Sequence, residues 1–136
     1  LGKNNINIMR SIGNVLGDLF QIQDDYLDLY GKRSYLGKVI GGDVLEMKKT
    51  FLYITAFQNA NSKQKQELEG VYHSSHENKI DIISQYYNDL RVQECVQQTI
   101  NNLSQTLIKL ITSIGVPNHQ KEIFSEFITA ILSRKA

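Results

Sequence analysis

Gly17-Asp18-Leu19-Phe20-Gln21-Ile22-Gln23-Asp24-Asp25-Tyr26-Leu27-Asp28 closes a long amphipathic run and places three carboxylates within its last five residues. At about 100° per residue, Arg10, Asn14, Gly17, Asp18, Gln21, Asp24, Asp25 and Asp28 share one arc of roughly 120°. Ile12, Val15, Leu16, Leu19, Phe20, Ile22, Tyr26 and Leu27 fill the opposite arc. That split predicts a long helix over residues 4–30 with a single apolar face. Its end is electrostatically awkward. Asp24 and Asp28 repel at i,i+4, and a carboxylate near a helix C-terminus opposes the macrodipole, each at a cost of about 0.3–1 kcal/mol. A solvated acidic face is one account. The other is that D-D-x-x-D sets hard oxygen donors within reach of one divalent cation, and Mg²⁺ takes one or two carboxylates and completes its octahedron with water and phosphate oxygens.

Outward from this helix end, residues 31–43 (GKRSYLGKVIGGD) read as a glycine-rich loop with Lys32, Arg33 and Lys38. The Gly31 to Gly37-Lys38 spacing is one residue too long for a P-loop, Val39 stands where Ser or Thr is needed, and no strand precedes it. Asp43-Val44-Leu45-Glu46 reads as a capping box opening a second helix over about 44–59, with Lys48 and Lys49 in its first half. Cations near a helix N-terminus are mildly unfavourable, so a functional task for one of them competes with simple solvation.

The remainder is helical in pattern. Ser62 to Tyr72 reads as a short polar helix; helices over about 78–88 and 91–114 follow, broken near Leu90-Arg91, the latter with Val92, Val96, Ile100, Leu103, Leu107 and Leu110 at helix spacing. Gly115-Val116-Pro117 stops the third of these, and Asn118 caps a last helix to about Ser133. His73, His76 and His119 read as surface residues. Gly13 and Gly17 inside the first helix point to close packing or, for Gly17, room for a ligand.

The 136 residues suffice for one all-α domain with a real core, and 41% hydrophobic with 21% charged residues describes a globular chain. A net charge of +1 gives no electrostatic reason to expect nucleic acid. The single cysteine, Cys95, allows no internal disulfide, which favours a reducing, cytoplasmic setting. No apolar run approaches the ~20 residues a membrane-spanning helix needs. The chain starts at Leu1 with a helix pattern under way at once, and is read as part of a longer protein.

The order FQIQDDYLDLYG, then Gly37-Lys38, Gly41-Gly42-Asp43 and Glu46-x-Lys48-Lys49-Thr50 resembles the C-terminal half of the trans-isoprenyl diphosphate synthases. The match is dense over residues 13–57 and loose beyond residue 60. The resemblance implies the C-terminal part of the all-α isoprenoid synthase fold, an orthogonal helix array. It also implies Mg²⁺-dependent transfer of an allylic prenyl diphosphate to isopentenyl diphosphate, with loss of diphosphate. On this resemblance Asp24, Asp25 and Asp28 match the second aspartate-rich motif, which holds Mg²⁺ on the allylic diphosphate. Phe20 and Gln21 match the pair beside the allylic substrate, and Lys38 matches the loop lysine on the diphosphate. Asp43 matches an acid supporting the metal site from behind, where helix capping would serve equally well. Lys48 matches the lysine near the aspartates. A homodimer is implied as well.

The first aspartate-rich motif of that family is absent from these 136 residues, as are the arginines that follow it. The expectation is therefore that this chain alone does not catalyse prenyl transfer. The competing expectation is a non-catalytic half-fold or helical interaction module that associates with a partner chain. A class I terpene cyclase shares the metal chemistry but fits the order of motifs poorly.

Overall fold

The computed structural model describes residues 2–31 and 40–133, and these are helical with no strand among them. The helices are α1 (Lys3–Tyr30), α2 (Gly42–Leu45), α3 (Phe51–Asn59), α4 (Ser62–Tyr72), α5 (Lys79–Asp89), α6 (Val92–Ser113) and α7 (Asn118–Leu132). Among the described residues no helix is long and apolar enough to cross a membrane. The chain divides into two compact units, residues 1–23 with 99–134 and, for the most part, residues 24–98, so that the division falls within α1 and α6.

The first unit is built from the start of α1, the end of α6, and α7. Ile12 and Leu19 from α1 join Leu107, Ile111 and Ile114 from the α6 end and Ile128 from α7 in one buried cluster. The spacing of Ile12 and Leu19 puts them two turns apart on the arc that the sequence marks as apolar. Gly115 ends α6 against Asn5, whose Oδ1 accepts from the Gly115 N–H at 3.1 Å. A Cβ at Gly115 would stand 3.0 Å from the Asn5 side chain, which would have to give by a few tenths of an ångström. Gln23 is buried at the end of the unit and donates Nε2–H to the Leu132 carbonyl at 2.6 Å. Among the described residues its Oε1 has no hydrogen-bond partner.

The second unit packs Leu29, Val44, Leu52, Tyr53, Ala56, Leu68, Tyr72, Ile83, Tyr87, Leu90, Val92 and Val96 into its interior. Asn61 caps α4 with a true capping box: its side chain accepts from Gln64 N at 2.8 Å while Gln64 Oε1 accepts from Asn61 N at 2.9 Å. Leu90 ends α5, and Arg91 with φ 55 turns the chain into α6, which is where the apolar pattern breaks.

The continuous helix expected over 44–59 is not formed. α2 ends at Leu45, and residues 46–50 make a link in which Met47 takes a left-handed φ of 56. That conformation costs an ordinary residue roughly 1–2 kcal/mol and persists only where surrounding contacts enforce it. A fresh helix begins after Thr50, whose side chain accepts from Tyr53 N at 3.2 Å. The capping box expected at Asp43 is also absent. Gly41, with φ 78, occupies the cap position, and Asp43 lies inside the first turn of α2. At α7 the cap is Pro117 and Asn118 is the first helical residue.

Candidate functional site

The acidic end of α1 belongs to the second unit, and its charges are not left to themselves. Asp25 Oδ2 accepts from the backbone N–H of Phe51 at 2.9 Å. Phe51 is the first residue of α3, so this carboxylate sits at the positive pole of that helix. Asp28 Oδ2 accepts from Asp43 N at 3.0 Å, and the Asp28 carbonyl accepts from Gly41 N at 2.9 Å. Gly41 fits there because its backbone is left-handed and a Cβ would press Ile80 at 3.0 Å. Asp25 and Asp28 are half-buried and Asp24 is exposed. What the sequence presents as awkward acids at a helix end is, for two of them, a pair of anchor points for the chain that returns after the loop.

A cation stands on the same elements. Lys48 Nζ lies 3.1 Å from Glu46 Oε2 and 3.4 Å from Asp43 Oδ1. Hydrogen bonding to Glu46, then to Asp43, holds the Lys48 ammonium above its usual range. Lys48 owes its position to the 46–50 link, not to a helix N-terminus. Behind it, the buried Tyr72 hydroxyl donates to the Lys48 carbonyl. Burial raises the Tyr72 phenol, and Asp43, Asp28 and Asp25 push in the same direction, which places the hydroxyl within the field of three site acids.

The structure thus brings together Asp25, Asp28, Asp43 and Lys48 of the residues singled out from sequence. Phe20 and Gln21 are exposed on the part of α1 that belongs to the first unit. Lys38 lies outside the described residues. Glu46 and Tyr72 were not singled out: Glu46 reads as half of a cap, and nothing local marks Tyr72 at the end of a polar helix.

The donor set suits a hard divalent cation, being carboxylate oxygen throughout. Among the described residues no three His, Cys, Asp or Glu side chains converge as a metal cage. One or two of these carboxylates would suit an ion that leaves its remaining positions to water and phosphate, as Mg²⁺ does.

The described residues form seven helices with these acids at the end of the first, and comparison with known proteins places them in the all-α isoprenoid synthase fold. The Polyprenyl synthetase family model matches residues 1–90. Farnesyl pyrophosphate synthase of Nezara viridula is 34% identical over 124 residues, covering 88% of this chain and 29% of that protein. Geranylgeranyl pyrophosphate synthase of Schizosaccharomyces pombe is 32% identical, covering 90% of this chain and 35% of that protein. A crystal structure of geranylgeranyl pyrophosphate synthase superposes with a TM-score of 0.83 at 25% identity, over 100% of this chain and 43% of that one. The chain belongs to the polyprenyl synthetase family. It spans about a third of the length of the curated relatives it matches.

Proposed function

We propose that this chain supplies the second aspartate-rich half of a Mg²⁺-dependent prenyltransferase that joins an allylic prenyl diphosphate to isopentenyl diphosphate. The observation that carries the reading is the pair of amide-anchored carboxylates, Asp25 on Phe51 N and Asp28 on Asp43 N, at the position of the family's motif. Of Asp24, Asp25 and Asp28, one or two would hold the metal directly, and its charge, when bound, would neutralise the diphosphate as it leaves. The protein's own contribution is electrostatic and positional. The backbone amides of Phe51 and Asp43 fix the direction of two carboxylates before any ligand arrives. The Lys48 ammonium adds a positive charge beside Asp43, and Lys38 from the loop is assigned to the diphosphate oxygens. Phe20 and Gln21 are assigned to the allylic substrate. The carboxylates act through the metal and not as general acids or bases.

A homodimer and a cytoplasmic setting complete the reading, supported by the resemblance and by a lone cysteine. Without the first aspartate-rich motif, the isolated 136 residues are expected to bind diphosphate but to form no product from the two substrates. The exposed Ile108, Ile123 and Phe127 favour a second reading, a helical module that associates with another chain. Calorimetric titration of Mg²⁺ with inorganic pyrophosphate separates the two. Binding that is lost in Asp24→Ala supports the prenyltransferase reading, and absence of binding, or binding unchanged in Asp24→Ala, removes it.

A further inference from the structure

The 46–50 link is the hinge of the acidic site, because both of its ends serve a carboxylate. Upstream, Asp43 gives its N–H to Asp28; downstream, Phe51 gives its N–H to Asp25. In between, Lys48 N donates to the Asp43 carbonyl at 2.9 Å and Thr50 N donates to the Lys48 carbonyl at 2.9 Å. The left-handed Met47 needs neighbours to hold it. A contact from another helix reaches the middle of this link: the Tyr72 hydroxyl on the Lys48 carbonyl.

Tyr72 is itself immobilised. It is the last residue of α4 and fully buried. Its ring lies 4.3 Å from that of Tyr53 on α3, and the buried Lys79 of α5 sets its Nζ 5.4 Å from the ring centroid. A core position that required only volume would accept phenylalanine. The Lys48 carbonyl already receives the Thr50 N–H, so the phenol is not there to rescue an orphaned acceptor; it adds a second donor on the oxygen's other lone pair. With its phenol held above the usual range, it remains a donor throughout the ordinary pH range.

We infer that Tyr72 is a positioning residue of the site: its buried hydroxyl pins the Lys48 carbonyl and, through the 46–50 link, sets the Lys48 ammonium against Asp43 and the Phe51 N–H against Asp25. Tyr72 touches no substrate and acts through Lys48 and Phe51. The inference rests on the function proposed above, in that the positioned groups are those assigned to the metal and diphosphate.

The test is Tyr72→Phe in the 136-residue chain, which keeps the ring and deletes the hydroxyl. Amide hydrogen exchange is expected to quicken by roughly tenfold or more at Thr50 and Phe51, with Ile83 and Val96 in the same unit unchanged. Unchanged exchange at Thr50 and Phe51 overturns the inference. So does loss of the helical circular dichroism, because a hydroxyl that only positions a link is not needed for folding. Binding of inorganic pyrophosphate with Mg²⁺ is expected to weaken about three- to tenfold in Tyr72→Phe, and to lose measurably less when Tyr72→Phe is added to Lys48→Ala, where only the Phe51 route is left. The same loss in both backgrounds overturns action through Lys48. If the unsubstituted chain binds no pyrophosphate, the functional reading fails, while the exchange rates still decide whether Tyr72 pins the link.

Discussion

The two units of the chain hold themselves together by different means. In the first, Ile12, Leu19, Leu107, Ile111, Ile114 and Ile128 form an aliphatic cluster, and Gln23 is the buried polar side chain among the described residues. The second mixes an apolar interior with anchored charge: Asp25 and Asp28 on backbone amides, Lys48 on Asp43, and Tyr72 on the link between them. All seven tyrosines fall between residues 26 and 87, within its span. An aliphatic cluster loses stability when volume is removed and holds no charge whose removal would matter. The second unit shares that dependence on volume and adds a region where removing a charge or a hydrogen bond disturbs the site.

The largest effect expected is on the aliphatic side. Leu107 is fully buried, and Leu107→Ala should cost about 2–5 kcal/mol in urea denaturation. Binding of pyrophosphate with Mg²⁺ should survive it below the unfolding transition; loss of binding in the folded variant would break the contrast between the units. The next effect lies on the charged side. Asp25→Asn keeps an oxygen for the Phe51 amide but removes the charge, so pyrophosphate binding should weaken at least tenfold, about 1.4 kcal/mol, with melting temperature little changed. A variant that melts much earlier yet binds normally would make Asp25 a structural acid only.

Alkaline pH should attack the second unit first. Burial, with Tyr26 adding, pushes the Tyr30 phenol up to about 12, and burial raises Tyr72 and Tyr87 as well. A raised phenol keeps its proton more tightly in the native state than in the unfolded chain. The stability it contributes is complete below the ordinary value near ~10 and is lost as pH rises from there through its folded value. Lys79 acts in the opposite sense: burial lowers its ammonium, so its charge costs stability at neutral pH and that cost fades toward its ordinary value. Tyrosinate absorbance followed beside amide signals of both units should show signals from residues 24–98 failing first above pH ~10. Simultaneous loss in both units would contradict this order. A smaller effect is expected at Asn61, where Asn61→Ala removes half of a capping box and should cost about 1 kcal/mol. Stability unchanged in that variant would show that packing alone sets the start of α4.

Much of this architecture could be read from the chain directly. α1 and α4 to α7 lie within a residue or two of where apolar spacing and stop signals put them, because each buries one regular stripe. Gly115 and Pro117 announce the end of α6 in their own chemistry. Residues 44–59 deceived the periodicity for a physical reason. Val44 through Ala56 are all compatible with a helix, and what breaks it is tertiary: a left-handed Met47, a capping Thr50 and the Tyr72 hydroxyl arriving from α4. Likewise the motif acids are visible in sequence, but the amides that orient them come from 15 and 26 residues further on. Phe20 sits at the edge of the apolar arc and emerges exposed, which helical spacing alone does not distinguish from burial.

The central claim is that the amide-anchored acids are where a metal-bound diphosphate settles. The most direct measurement is amide chemical-shift mapping of the 136-residue chain during titration with inorganic pyrophosphate and Mg²⁺. Saturable shifts at Asp43 and Phe51, whose N–H groups rest on Asp28 and Asp25, are the predicted result, with Gly115 and Ile128 unmoved. Shifts that leave Asp43 and Phe51 in place, at any ligand concentration, would contradict it.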